Sequence, residues 1–158
     1  MKKVSILLSI ILTGLFCNAQ KSKFGYKVGL VASLPTDTYA QQSKIAVGST
    51  IFEGYYVRSK KVDLTLNAGY LRYTNSGEAF AQVFAMPGAR YKMDKLFHFG
   101  CNLGGAIYNR SDVGKLDFMF SPFIGLTANK ITIDIRYFNT VKGERSIKTN
   151  AITFLYTL

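Results

Sequence analysis

The 158-residue sequence predicts an all-β fold, an eight-stranded antiparallel up-and-down transmembrane β-barrel preceded by a cleaved signal peptide. Three observations predict it. Ile131, Ile133, Ile135 and Tyr137 alternate with Thr132, Asp134, Arg136 and Phe138, the period of two of a strand with one apolar and one mixed face. Ile152, Phe154, Tyr156 and Leu158 repeat the pattern against Ala151, Thr153, Leu155 and Thr157. The same rhythm recurs behind an export signal, so the apolar face is expected to meet lipid rather than a protein core.

The signal is read from its three regions. Lys2 and Lys3 form the positive start, Val4 to Phe16 the apolar stretch, and Cys17-Asn18-Ala19 the cleavage region, with cleavage expected after Ala19. The apolar stretch is shorter than the roughly 20 residues that a spanning helix needs. Cys17 follows Phe16, and a bulky ring before the cysteine argues against lipidation. Residues 1–19 are therefore expected to be a signal peptide and 20–158 one barrel domain.

The strands follow in order. The first, Phe24–Leu34, sets Phe24, Tyr26, Val28, Leu30 and Ala32 against Gly25, Lys27, Gly29, Val31 and Ser33. The second, Lys44–Val57, has an ambiguous phase. Ile45, Val47 and Ile51 share one face and Phe52 and Tyr56 the other, and a bulge between Ser49 and Gly54 would reconcile them. The third, Val62–Tyr73, places Val62, Leu64, Leu66, Ala68 and Tyr70 outward and Asp63, Thr65 and Asn67 inward. The fourth, Ala79–Lys92, turns Val83, Ala85, Pro87, Ala89 and Tyr91 outward and Gln82, Phe84, Gly88, Arg90 and Lys92 inward. Pro87 cannot donate to a ladder, which predicts a bulge or local break. The fifth, Leu96–Tyr108, opposes Phe97, Phe99, Cys101, Leu103 and Ile107 to His98, Gly100, Asn102, Gly104 and Ala106. The sixth, Leu116–Ala128, opposes Leu116, Phe118, Phe120, Ile124 and Leu126 to Asp117, Met119, Ser121 and Thr127. The seventh and eighth are the two segments named first.

The connections alternate in length. Residues 58–61, 93–95 and 129–130 are short, whereas 35–43, 109–115 and 140–150 are longer; 75–78 breaks the rhythm. Barrels of the outer membrane have short periplasmic turns and longer outer loops, so both termini are expected in the periplasm.

Composition narrows the function. The formal charge of +11 falls to +9 without Lys2 and Lys3. Export and scattered cations argue against nucleic acid and for acidic surfaces such as lipid phosphates. Cys101 is the only cysteine left after cleavage, so no intramolecular disulfide can hold the fold. The absence of CxxC and HExxH patterns points away from metal chemistry, and no cofactor is expected. Gly104-Gly105 lacks the strand–turn–helix setting of a phosphate loop and reads as barrel curvature.

Residues Gln82 to Asn139 carry the runs QVFAMPGARYKM, FHFGCNLGGAIYN and FSPFIGLTANKITIDIRYFN. These resemble the small outer-membrane β-barrel domain family, the PorT-like and OmpA/OmpX-like eight-stranded barrels. The resemblance implies an outer-membrane location, contact with lipid and lipopolysaccharide, and insertion by the barrel assembly machinery. Many such barrels end in Phe or Trp; this chain ends in Leu158, after Phe154 and Tyr156.

Six charged residues fall on the expected inner face: Lys27, Asp63, Arg90, Asp117, Asp134 and Arg136. A barrel of eight strands is just wide enough for side chains to fill, and charges buried there must pair. They are expected to form a plug of ion pairs; a narrow polar pore is the alternative. His98, the only histidine, also faces inward. Some barrels of this kind modify lipid A with His and Ser groups, but no Ser or acid near His98 in sequence suggests a triad, so it is expected to be an interior hydrogen-bonding residue and the protein not an enzyme. Cys101 is expected to be a buried structural thiol, and Asn109-Arg110-Ser111 only an exposed loop. Tyr26, Tyr70, Tyr91, Tyr137 and Tyr156 are expected to form interfacial girdles. A structural or surface-interaction role is the reading adopted, with a narrow pore and a soluble ligand-binding β-barrel as alternatives.

Overall fold

The computed structural model describes residues 23–36, 43–44, 46–75, 79–108, 116–142 and 145–158. The expected signal segment, Cys17 and Asn109-Arg110-Ser111 lie outside them. The strands are β1 (Phe24–Pro35), β2 (Ser43–Lys44), β3 (Ala46–Val57), β4 (Val62–Asn75), β5 (Ala79–Lys92), β6 (Phe97–Tyr108), β7 (Asp117–Ala128), β8 (Ile131–Lys142) and β9 (Arg145–Thr157). β2 is a two-residue piece that pairs with Asn75 and Thr74 and extends the wall ahead of β3. The other eight run 12 to 14 residues, longer than the ~9–11 needed to cross a bilayer at a tilt.

Every long strand pairs antiparallel with two neighbours. β1 pairs with β9 from Lys27↔Thr157 to Pro35↔Thr149, and β4 with β5 from Val62↔Tyr91 to Thr74↔Ala79. The sheet therefore closes on itself as an eight-stranded antiparallel barrel and leaves no long edge. No helix among the described residues is long and apolar enough to cross a membrane; the strands are the only spanning elements of sufficient length.

One end of the barrel is made of tight turns whose chemistry is local. Ser59 Oγ accepts from the amides of Lys61 (3.3 Å) and Val62 (3.1 Å). Asp94 Oδ1 accepts from the amides of Leu96 and Phe97, both at 2.6 Å, and these two bonds hold its carboxyl below the usual aspartate range. Asn129, at φ 54°, takes the left-handed conformation that a two-residue hairpin turn demands.

The phase expected from alternation holds in each strand that showed one. Side chains pointing out of the wall include Leu30, Leu64, Leu66, Val83, Leu103, Phe118, Ile124, Ile135 and Phe154, all exposed. The ambiguous second segment resolves through a bulge. The β1–β3 register shifts between Val31↔Ser49 and Ser33↔Ala46, so the extra residue lies at Val47–Gly48, just ahead of the expected Ser49–Gly54 stretch. From Ser49 onward Ser49, Ile51 and Glu53 point inward and are buried.

Pro87 makes the local break expected of it rather than a bulge: β5 keeps one register with β4 through Leu66↔Pro87, while its pairing with β6 lapses at Met86 and Pro87 and resumes in the same register. Gly104 lets the two backbones close up there, because a Cβ on it would meet the carbonyl oxygen of Ala85. The connection expected over 140–150 is instead mostly ladder. β8 continues to Lys142 and β9 begins at Arg145, paired through Lys142↔Arg145; alternating Thr140, Ile147 and Thr149 remain on the buried face, so the strands extend through this stretch.

The aromatic belt is concentrated at the turn end. Phe24 packs tilted against Tyr56 (centroids 4.8 Å) and Tyr91 against Phe99 (5.4 Å), while Tyr26 stacks on Phe52 (5.8 Å). Lys130 lies over Tyr156 (5.5 Å). Tyr26, Tyr91 and Tyr156 thus occupy one girdle, whereas Tyr70 and Tyr137 sit further along their strands, Tyr137 beside Phe120.

Candidate functional site

The barrel interior is stratified along its axis. The half nearer the short turns is charged. Glu53, 0% exposed, is its hub. Arg90 Nη2 donates to both its oxygens at 2.7 Å; Lys27 Nζ lies 3.4 Å and Arg136 Nη2 3.3 Å away. Arg136 also donates to Asp134 Oδ2 at 2.6 Å and to the side-chain oxygens of Asn67 and Asn102 at 3.4 Å. Asn102 passes the chain on to Thr65 at 2.8 Å. Phe123 fills the space beneath the guanidinium groups, with Arg136 4.4 Å and Arg90 5.5 Å from its ring centroid, a cation–π arrangement favoured where water is excluded.

A second branch runs from Asp134 to His98, whose Nε2 lies 2.8 Å from Asp134 Oδ1. His98 Nδ1 is 3.4 Å from Thr127 Oγ1, which in turn is 3.0 Å from Thr132 Oγ1, and Lys27 Nζ donates to that same Thr132 oxygen at 3.1 Å. Gly125 makes the branch possible, since a Cβ there would strike Asp134 Oδ1. At the rim, Lys92 pairs with Asp63 at 2.8 Å.

Five of the six charged residues expected on the inner face therefore meet at one end: Lys27, Arg90, Asp134 and Arg136 in the central network, Asp63 at its rim. Asp117 does not join them. It is buried, but it opens β7 at the opposite end, and its Oδ2 has no hydrogen-bond partner among the described residues. Strand direction explains this: β7 descends toward the Asn129-Lys130 turn, so its first residue is furthest from it. Glu53 was hidden in sequence by the bulged phase of its strand. His98 is the interior hydrogen-bonding residue expected of it, and Asp134 and Thr127, distant in sequence, are its partners.

The other half of the interior is filled largely by apolar side chains. Val31, Ile51, Leu71, Phe84, Met86, Ala106, Met119, Phe138 and Leu155 form one buried cluster, with the rings of Phe84 and Phe138 5.7 Å apart. Tyr73 is packed into it and sends its hydroxyl to Gln82 (3.3 Å) and Thr149 (3.2 Å); Gln82 donates to Thr140 at 2.7 Å. The alternation placed Val31, Phe84, Ala106, Met119 and Leu155 on the inner face but did not show that they gather into one layer. Cys101 stands on the apolar outward face expected from its strand, but its side chain is exposed rather than buried, between Ala89 and Pro122 of the adjacent strands.

The charged half opens at the turn end into a cavity of about 690 Å³. Its floor includes Lys27, Arg90, Asp63 and His98, and its rim Lys60, Lys61, Lys92 and Lys95. Among the described residues no group of three or more His, Cys, Asp or Glu could hold a metal ion.

No family model matches the chain, and no curated protein matches it. Solved structures do. The Yersinia pestis outer membrane protein Ail in a phospholipid bilayer nanodisc aligns at TM-score 0.62 and 11% identity, over 87% of this chain and 100% of that one. The crystal structure of Ail, the attachment invasion locus protein of Yersinia pestis, with the heparin analogue sucrose octasulfate aligns at TM-score 0.62 and 11% identity, over 85% and 97%. A structure from the de novo design of transmembrane β-barrels aligns at TM-score 0.58 and 14% identity, over 88% and 98%. At these identities the likeness concerns fold, and the fold is that of small transmembrane β-barrels.

Proposed function

We propose that this chain is an integral protein of the outer membrane, exported by its signal peptide, whose barrel is a sealed anchor and whose role is structural or lies in contacts at the cell surface. The observation that carries the reading is the inversion of the usual soluble pattern. Leu30, Leu66, Val83, Leu103, Ile124, Ile135 and Phe154 project from the wall, while Lys27, Glu53, Arg90, Asp134 and Arg136 are buried inside. A soluble ligand-binding barrel would need the opposite arrangement.

In this reading the short turns face the periplasm, and the segments 35–43 and 109–115, with the tip of the β8–β9 hairpin, face outward. The quoted motifs support membership among PorT-like or OmpA/OmpX-like barrels. Lipid and lipopolysaccharide surround the wall, and the barrel assembly machinery inserts it. Ail, of similar fold, is known with a sulfated heparin analogue; the formal charge here, +11 for the full sequence and +9 without Lys2 and Lys3, suits anionic surface partners as well.

The protein is read as non-enzymatic. Asp134 is engaged by Arg136 at 2.6 Å, and Thr127 Oγ1 stands 3.4 Å from His98 Nδ1 while also bonding Thr132. That arrangement suits a structural network better than an activated nucleophile. A pore is disfavoured by the apolar cluster of Leu71, Phe84, Met86, Met119 and Phe138 that fills much of the lumen in the half away from the short turns, leaving ions few polar partners there.

Cell fractionation followed by gel migration of boiled and unboiled samples tests the proposal. Outer-membrane recovery with a heat-dependent shift is expected. Recovery in the soluble periplasm or medium would overturn it.

A further inference from the structure

The charges at the turn end do not balance. In the lumen and at its rim, Lys27, Arg90, Lys92 and Arg136 face only Glu53, Asp63 and Asp134. Among the described residues, four cations against three carboxylates leave one positive charge in excess, and an uncompensated charge is costly where it is buried. The cavity above this network adds Lys60, Lys61 and Lys95 against Asp94 alone, and Asp94 is already engaged by two backbone amides. Of its lining residues, six are cationic and two acidic. Arg90, 2% exposed, also keeps an Nε–H with no partner among the described residues.

We propose that this mouth binds a phosphate-bearing ligand, with Lys60, Lys61 and Lys95 closing over the phosphoryl oxygens above the Lys27–Arg90 floor. A surplus of several positive charges calls for a multiply charged anion rather than one carboxylate. Lys and Arg together are the residue types that serve phosphate recognition, as point charges and as donor forks. A space of about 690 Å³ exceeds a bare ion and accommodates an ester of headgroup size. The site lies at the opposite end of the barrel from the longer connections, so it is independent of any surface role they carry.

The test uses the full protein in phosphatidylcholine nanodiscs, titrated calorimetrically with inorganic phosphate, glycerol 3-phosphate and acetate. Saturable binding of the phosphates is expected, weakening as salt rises. A triple variant Lys60→Ala, Lys61→Ala, Lys95→Ala should bind about tenfold more weakly. These lysines are exposed, so its heat-dependent gel shift should be kept. Repeating the titration in phosphatidylglycerol nanodiscs separates the sources of phosphate. Blocked glycerol phosphate binding identifies a lipid headgroup as occupant, and unchanged binding identifies a soluble ester. No saturable binding, equal affinity for acetate, or an unaffected triple variant would overturn the proposal.

Discussion

Replacing Glu53 by Gln removes the one carboxylate on which three cations converge while keeping its shape. The structure says which cations suffer. Arg136 retains Asp134 at 2.6 Å. Lys27 is left with Thr132 at 3.1 Å, and Arg90 loses both of its 2.7 Å bonds to carboxylate oxygens. Two buried charges thus become uncompensated. Breaking a buried pair by removing one partner costs about 3–5 kcal/mol; the amide oxygen of Gln still accepts one bond, so the low end, about 3 kcal/mol, is expected. At about 1.4 kcal/mol per tenfold, the folded-to-unfolded ratio drops by roughly two orders of magnitude. The chain has no Trp, so urea unfolding in detergent should be followed by gel migration and circular dichroism. The paired variant Glu53→Leu with Arg90→Met removes both charges and should recover most of the loss, because apolar replacement of a whole buried pair is often neutral or stabilising. A cost below about 1 kcal/mol for Glu53→Gln, or a paired variant no better than the single one, would refute the view that Glu53 is the hub holding these buried cations.

Planar-bilayer recordings of the native protein should show no steady conductance, whereas Leu71→Ser with Met86→Ser, which breaks the apolar layer, should open a small one; conductance in the native protein would contradict a sealed lumen. Cys101, on the outward wall, should resist a charged thiol reagent in nanodiscs and react with a lipid-soluble maleimide, while equal reactivity toward both would place that wall in water. Asp94 stabilises its turn in the ionised form. Its carboxyl is held below the ordinary range, so the contribution is present above the unfolded value and is lost as pH falls through the lowered folded one. The amide signals of Leu96 and Phe97 should therefore titrate together in acid, and Asp94→Asn should abolish that titration.

Much of the wall was legible because lipid on one side and a narrow lumen on the other leave a residue only two choices, and a period of two records them. Where the backbone gained a residue, at Val47–Gly48, that record slipped, and Glu53 vanished from the expected inner face. The height of a residue along the axis is encoded differently, by strand direction and distance from the nearest tight turn. Applied to Asp117, that second coordinate would have set it apart from Arg90 and Asp134 at once. The apolar layer was missed for another reason. Leu71, Met86, Met119 and Leu155 resemble lipid-facing residues in type, and only the closed geometry shows that they meet one another. Pro87 was legible too, since a residue without an N–H cannot donate to a ladder, and the β5–β6 pairing lapses there.

The seam between β1 and β9 carries a consequence for how the molecule comes into being. These strands join across nearly the whole length of the chain, in nine successive pairs from Lys27↔Thr157 to Pro35↔Thr149, and Leu158 donates its amide to Tyr26 at 3.0 Å. Hairpin neighbours can pair locally, but this seam needs β1 and β9, far apart in sequence, to meet, and contacts of such long range are slow to form. Until then two strand edges stand open, which hydrocarbon does not tolerate. Shortening β9 by even a few residues would leave the nascent cylinder unable to shut, so its loss should show as arrested assembly and degradation rather than as a weakened but finished product.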